Sequence, residues 1–279
     1  MGIPSYFSHI VKNHSQIIKK YSDFLQINNV HNLYLDSNSI IYDCYRIIID
    51  THDFLNKTKF EMELIDMICL KIESYIQIIK PSNTVFIAFD GVAPVAKMDQ
   101  QRSRRFKSNF EKKILAKIIP KTSNHFWDKT CITPGTEFMK KLNIGVSKFF
   151  KNKESKYNLN EIIVSGSNTH GEGEHKLFEY IRNNKFSHYS KTTIIYGLDA
   201  DLIMLAINHL YISKNIYLFR ETPEFIKSID KSLDPNESYI LDIPFLSILL
   251  KSEMTNLTNY DHENILQDYI FICFMLGND

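Results

Sequence analysis

Short apolar runs recur along the chain, and each of them is followed by acidic residues. Residues 33–36, 85–90 and 194–201 are such runs, and residues 161–165 form another, directly upstream of a turn rich in glycine and glutamate at residues 171–176. Short apolar runs that are rich in β-branched residues are typical of buried strands. The pattern therefore predicts several strands that end at acidic side chains.

Helical periodicity fills the segments between these runs. Apolar residues recur three and four positions apart through residues 60–80, and Pro81 ends the pattern. Further helices are predicted over residues 5–25, 38–44, 97–107, 176–181, 201–210, 240–253 and 265–276, with another strand at residues 215–219. Residues 151–160 and 222–238 are polar and predict surface loops. The alternation of strands and helices indicates an α/β fold with a mostly parallel sheet.

The acidic residues after the strands are predicted to meet in space. In an open parallel sheet, ligands bind beyond the carboxyl ends of the strands. Six acids occupy such positions: Asp36, Asp90, Glu172, Glu174, Asp199 and Asp201. Two carboxylates about 4 Å apart repel by on the order of 4 kcal/mol at an effective dielectric near 20. Such a cluster predicts a site for divalent cations with oxygen ligands, such as Mg²⁺, although the glutamates at 171–176 alone also fit acids that cap a helix.

The segment that follows the strand at 85–90 is basic. Residues 97–121 include nine lysines or arginines against two acids. One face of the predicted helix presents four of the polar side chains: Lys97, Gln101, Arg104 and Arg105. A run of charge usually marks a solvated face. Here it begins beside the predicted acidic cluster, and arginine suits bidentate phosphate binding, so we interpret it as a phosphate-recognition face.

Composition narrows the class of protein. A chain of 279 residues allows one large domain or two small ones, and its net charge of +1 means that nucleic acid would have to bind a local patch. Cys44, Cys69, Cys131 and Cys273 lie far apart, without the spacing of a metal site, which predicts reduced cysteines and an intracellular protein. We expect neither a signal peptide nor a membrane span.

Taken together, the motifs resemble the N-terminal (first homology) region of the Xrn/Rat family of 5′→3′ exoribonucleases. The matching stretches occur in the family's order: residues 1–4, 33–41, 89–106, 134–139, 171–176, 196–203 and 277–279. The resemblance implies a PIN-like core shared with flap endonucleases, with a mostly parallel central sheet flanked by helices. It also implies that residues 1–279 form one nuclease domain, truncated at its C-terminal end.

The resemblance further implies a role for each candidate residue. The catalytic and metal-holding set would be Asp36, Asp90, Glu172, Glu174, Asp199, Asp201 and Asp279. These acids would hold two ions of Mg²⁺ or Mn²⁺ for two-metal-ion hydrolysis of RNA that releases mononucleotides. The 5′-monophosphate of the RNA would bind Lys97, Gln101, Arg104 and Arg105, while Tyr42 would stack on a base. A cytoplasmic location is favoured over a nuclear one.

Several departures from the family pattern bear on this interpretation. Tyr42 replaces a histidine, Asp99 replaces an asparagine beside the phosphate face, and the chain ends at Asp279, where the family pattern continues. We therefore expect a C-terminal region or a partner protein to complete the site.

Two other functions are alternatives to a 5′→3′ exoribonuclease: a catalytically weak protein that binds RNA 5′ ends and a structure-specific DNA 5′ nuclease. The full set of acids favours catalysis, because a pure binder gains nothing from repulsive carboxylates.

Overall fold

The computed structural model describes residues 3, 5–51, 56–118, 127–197, 199–220, 233–234, 237–258 and 264–277. The candidate residue Asp279, three of the four residues in the N-terminal motif and most of the predicted loop at 222–238 lie outside the described residues.

Helices and strands alternate along most of the described chain. In chain order they are α1 (Tyr6–Asn13), β1 (Ile18–Lys20), α2 (Tyr21–Ile27), β2 (Asn32–Asp36), α3 (Asn38–Thr51), α4 (Lys57–Ile79), β3 (Thr84–Ala88), α5 (Val95–Ile118), α6 (Glu137–Phe150), β4 (Glu161–Ser165), α7 (Gly173–Asn183), α8 (Lys185–His188), β5 (Thr192–Tyr196), α9 (Asp201–Asn208), β6 (Asn215–Arg220), β7 (Tyr239–Asp242), α10 (Ile243–Thr258) and α11 (Ile265–Leu276). No helix among the described residues is both long and apolar enough to cross a membrane.

A seven-stranded sheet forms the centre of the fold, in the order β1-β7-β6-β5-β2-β3-β4. The strands from β6 to β4 in this order are parallel, and in β2 the residue Leu33 pairs with Val85 of β3 and with Ile194 of β5. At the other edge, β7 runs antiparallel to β6, and β1 runs antiparallel to β7. The predicted α/β fold with a mostly parallel sheet flanked by helices is confirmed.

The sheet separates two hydrophobic cores. Leu33 and Leu35 of β2 lie in the core that contains the apolar sides of α2, α3, α4 and α6. Tyr34, which lies between them, belongs to the core formed with α1, α7, α9, α10 and α11. Side chains alternate between the faces of a strand, so a strand that is buried on both faces must be apolar at nearly every position. The continuous apolar runs of the sequence have this cause.

A buried carboxylate links α4 to α6. Glu61 of α4 accepts hydrogen bonds from Nε1 of Trp127 at 3.1 Å and from Nζ of Lys141, on α6, at 2.7 Å. Burial raises the pKa of Glu61, but these two donors and the nearby charge of Lys57 outweigh it and leave the pKa below its usual value. The fold itself therefore supplies the hydrogen-bond donors that this buried carboxylate needs.

Two short strands depart from the sequence prediction. The predicted helix over residues 5–25 is divided into α1, β1 and α2. Of the predicted helix over residues 240–253, the first three residues belong to β7 instead. β1 has only three residues and two of them are exposed lysines, so it has no apolar run of its own. β7 contains a brief apolar run, and periodicity cannot assign so short a run to strand or helix. The hydrogen-bonded pairing between these two strands stabilises them, although the local sequence pattern of neither indicates a strand.

Candidate active site

Acidic side chains gather at the carboxyl edge of the four neighbouring strands β5, β2, β3 and β4. Asp36 is the last residue of β2, and Asp90 follows β3 by two residues. Glu172 precedes the first turn of α7 and Glu174 lies within it, while Asp199 lies between β5 and α9. All five line one cavity of about 510 Å³. The order of the parallel strands thus brings together residues that are far apart in the chain.

Two overlapping groups of side chains in this cluster could hold a metal ion. Ligand atoms of Asp36, Glu174 and Asp199 all lie within 4.8 Å of one another, as do those of Glu172, Glu174 and His175. Glu174 belongs to both groups, so its carboxylate lies between the two positions. His175 was not predicted as a ligand. Its Nε2 lies 3.8 Å from Oε1 of Glu174 and 4.0 Å from Oε2 of Glu172.

One of the predicted acids lies beside the cavity, and another lies outside the described residues. Asp201 is the first residue of α9 and belongs to neither ligand group, but its charge is near enough to raise the pKa of Glu174. Asp279 lies outside the described residues. The described part of the cluster therefore consists of five acids around the cavity, with Asp201 beside them.

Burial and repulsion from neighbouring acids disfavour the ionised forms of Asp36 and Glu174. Burial, followed by the charges of Asp90, Glu174 and Asp199, raises the pKa of Asp36 well above its usual value. Burial and the neighbouring acids also raise the pKa of Glu174, to about 8. Among the described residues, none donates a hydrogen bond to the buried Oδ1 of Asp36. An ionised carboxylate without a donor is costly, and a hard cation with oxygen ligands would satisfy it.

Asp90 is fixed in place by hydrogen bonds from the protein. Asn38, at the start of α3, donates through Nδ2 to one carboxylate oxygen of Asp90, and the backbone N–H of Gly173 donates to the other at 2.7 Å. In return, the N–H of Asp90 donates to Oδ1 of Asn38 at 3.1 Å. The absence of a side chain at residue 173 also permits the close approach of Asp36, since a Cβ there would overlap Oδ1 of Asp36. Sequence reasoning missed Asn38, because asparagine at a helix start usually caps the helix.

A buried lysine lies behind the acids. Nζ of Lys176 donates to the carbonyl oxygens of Phe89 at 2.7 Å and Gly166 at 2.9 Å. Burial lowers the pKa of Lys176 to about 8, although the charges of Asp90 and Asp36 act against that shift. The sequence pattern placed Lys176 on an amphipathic helix, and nothing in its spacing distinguished it from an exposed lysine.

The polar face of α5 forms another wall of the same cavity. Lys97, Gln101, Arg104 and Arg105 all line it, and Nζ of Lys97 lies 3.4 Å from Oε1 of Glu172. Asp99 does not line the cavity. Its carboxylate lies 2.6 Å from Nη2 of Arg102, and both side chains are exposed. The negative charge that departs from the family pattern therefore faces away from the proposed phosphate face.

The helix α3 also contributes Tyr42 and Arg46 to the cavity. Burial raises the pKa of Tyr42, the charge of Arg105 opposes that shift, and Asp90 adds to it, so the phenol lies near both the basic and the acidic walls. Arg46 was not predicted. It follows Tyr42 by four residues, which places it on the same side of the helix, and this spacing was the signal available in the sequence.

Comparisons with known proteins agree with this geometry. A family described as the N-terminus of XRN 5′-3′ exonucleases matches residues 1–222. The whole chain aligns with 5′-3′ exoribonuclease 1 of Saccharomyces cerevisiae at 37% identity and with that of Homo sapiens at 35%. It also aligns in full with 5′-3′ exoribonuclease 2 of Arabidopsis thaliana at 29% identity. The chain spans 19%, 17% and 34% of the lengths of these three curated relatives.

Proposed function

Because the chain belongs to the XRN 5′-3′ exonuclease family, we propose that it is a metal-dependent 5′→3′ exoribonuclease, or the catalytic core of one, acting on RNA with a 5′-monophosphate. We treat residues 1–279 as one nuclease domain around a PIN-like core. The supporting observation is that the carboxylate cluster and the basic face of α5 line a single cavity. The basic face suits the binding of a terminal phosphate, and the carboxylate cluster suits the cleavage of a phosphodiester bond.

The acids would hold two divalent ions, Mg²⁺ or Mn²⁺. The candidate ligands are those predicted from the sequence: Asp36, Asp90, Glu172, Glu174, Asp199, Asp201 and Asp279. Oxygen donors are what these hard ions prefer, and the buried Oδ1 of Asp36, which receives no hydrogen bond from the described residues, fits such a cation. When bound, a pair of ions supplies an activated water and neutralises charge on the scissile phosphate and the leaving oxygen.

The basic wall would select and seat the RNA end. Lys97, Gln101, Arg104 and Arg105 bind the terminal phosphate through charge-assisted hydrogen bonds, and Tyr42 stacks on the first base. With the end held there, the next linkage lies over the acids. Each cut exposes a new 5′-monophosphate for the same residues, whereas a cap or triphosphate is too bulky for the pocket.

The test uses labelled RNAs of one sequence that bear a 5′-monophosphate, a 5′-triphosphate or a 5′-hydroxyl, each with Mg²⁺ or with EDTA. We expect release of mononucleotides from the monophosphate RNA, in Mg²⁺ alone. Tight binding without cleavage in Mg²⁺ would instead identify a protein that binds RNA 5′ ends. A 5′-flap DNA of matched sequence tests the third possibility, since preferential cutting of the flap would identify a DNA nuclease.

A further inference from the structure

Lys176 lies behind the acidic cluster and is not part of the cavity wall. Its side chain is buried, with a relative exposure of 5%, and its Nζ contacts two carbonyl oxygens at hydrogen-bond distance. A buried ammonium group loses its hydration, so it is retained only where the protein supplies replacement partners. The positions of these partners in the fold indicate what the lysine does.

The two carbonyls belong to the ends of two different strands. Phe89 follows β3 and directly precedes Asp90, while Gly166 follows β4. Lys176 itself lies in the first turn of α7, and its backbone N–H donates to the carbonyl of Glu172 at 3.1 Å. One side chain therefore joins the helix turn that presents Glu172 and Glu174 to the strand end that presents Asp90.

We propose that Lys176 is a positioning residue, which sets the spacing between Asp90 and the two glutamates of α7 and thereby the geometry of the metal site. The inference rests on the proposed function only in taking these acids as metal ligands. A second hydrogen bond, from the N–H of Gly173 to Asp90, joins the same two elements. Backbone hydrogen bonds join the adjacent loops as well, since the N–H of Gly91 donates to the carbonyl of Gly171 at 2.8 Å and the N–H of Gly171 donates to that of Val92 at 3.0 Å. Lys176 adds a side-chain contact that also reaches the carbonyl of Gly166 after β4.

If Lys176 positions the ligands, its removal should change metal affinity in one direction. If Lys176 acts only through its charge, its removal should change metal affinity in the opposite direction. Removing a buried positive charge near Asp36 and Asp90 would, by charge alone, strengthen the attraction of the acids for a cation. If Lys176 instead holds the ligands at the correct spacing, its removal weakens binding, because the ligands no longer converge. The direction of the change in Mn²⁺ affinity therefore separates the two roles.

The experiment compares Lys176→Met and Lys176→Gln with the wild-type chain. Mn²⁺ binding is measured directly by electron paramagnetic resonance, and kcat and KM are measured on monophosphorylated RNA. We expect Lys176→Met to weaken Mn²⁺ binding about fivefold or more and to lower kcat about tenfold or more, with KM within about twofold because α5 is untouched. Lys176→Gln retains N–H donors and should fall between wild type and Lys176→Met.

The control is Lys141→Met, which also removes a lysine bonded to a buried group but lies at the Glu61 contact. It should lower the melting temperature and leave Mn²⁺ affinity unchanged. Unchanged or tighter Mn²⁺ binding in Lys176→Met overturns the inference, as does an equal loss in Lys141→Met. If Lys176→Met does not fold, Lys176→Gln decides by the same criteria. A wild-type chain that cuts no RNA but whose Mn²⁺ binding depends on Lys176 would overturn the proposed function alone.

Discussion

Asp36 and Glu61 are both buried carboxyl groups, and their surroundings shift their pKa values in opposite directions. Around Asp36, burial and three neighbouring acids raise the pKa. Around Glu61, the donors Lys141 and Trp127 outweigh burial and lower it. A carboxylate that is matched by donors contributes to the stability of the fold, whereas one surrounded by other acids needs a cation. The opposite directions of these two pKa shifts distinguish the functional site from a structural carboxylate, which burial alone does not.

At the acidic cluster, Asp199→Ala should abolish cleavage and leave RNA binding nearly unchanged. Asp199 belongs to a possible metal-ligand group and is not one of the basic residues that would seat the phosphate. We expect kcat to fall about 100-fold or more, while the Kd for monophosphorylated RNA in Ca²⁺ stays within about threefold. Single-turnover cleavage and filter binding measure the two quantities.

The matched control for this variant is Asp23→Ala, which removes an exposed acid on α2. It should cleave at the wild-type rate. A large loss of RNA binding in Asp199→Ala, with cleavage of the bound fraction intact, would contradict the assignment of Asp199 to the metal site.

The buried Glu61 contact should make stability depend on pH. The pKa of Glu61 is lower in the folded chain than its usual value of 4.5, so its contribution is fully present above about pH 4.5 and is lost as the pH falls through the folded pKa. Glu61→Gln should cost about 1–3 kcal/mol at pH 7 and less at pH 3. Urea unfolding at both pH values measures this, and an equal cost at the two would contradict it.

At the level of secondary structure, the elements with strong local patterns could be predicted and the two antiparallel strands β1 and β7 could not. β2, β3 and β5 are buried on both faces, so their apolar runs are visible in the sequence. The strands β1 and β7 depend on each other and have little pattern of their own. The roles of Asn38 and Lys176 were likewise hidden, because they come from contacts with residues distant in the chain. Asn38 contacts Asp90, 52 positions away, and Lys176 contacts Phe89, 87 positions away.

The α5 helix offers a direct test of the phosphate face. Arg104 lines the cavity, whereas Arg102, two residues earlier, does not line it and pairs with Asp99. Arg104→Ala should reduce the preference for a 5′-monophosphate over a 5′-hydroxyl about tenfold or more, in line with loss of a charge-assisted contact. Arg102→Ala should retain that preference. Competition between the two RNAs in one reaction measures it, and equal effects of the two changes would refute the proposed face.

For the whole molecule, the topology of the sheet creates the repulsion between the acids of the cluster. Parallel pairing of β5, β2, β3 and β4 places their carboxyl ends side by side, and the acids that follow them cannot separate while the sheet is intact. The two cores on either face fix the sheet and hence this arrangement. Folding without cations therefore works against repulsion that the unfolded chain does not experience.

Because of this repulsion, Asp36→Asn should have opposite effects on function and on stability. The change should impair function and yet stabilise the metal-free protein. In EDTA the variant no longer places beside Asp90, Glu174 and Asp199 an acid whose ionised form is disfavoured by burial and repulsion, and a gain of about 1 kcal/mol would raise Tm by about 2–4 °C. In Mn²⁺ the wild type gains stability because the ion binds only the folded state, and the variant, lacking a ligand, gains less. Calorimetry in both buffers should therefore show the difference shrink or reverse, while Asp23→Asn follows wild type in both. A lower Tm for Asp36→Asn in EDTA would mean that Asp36 makes net favourable contacts, and the cluster would then not need cations.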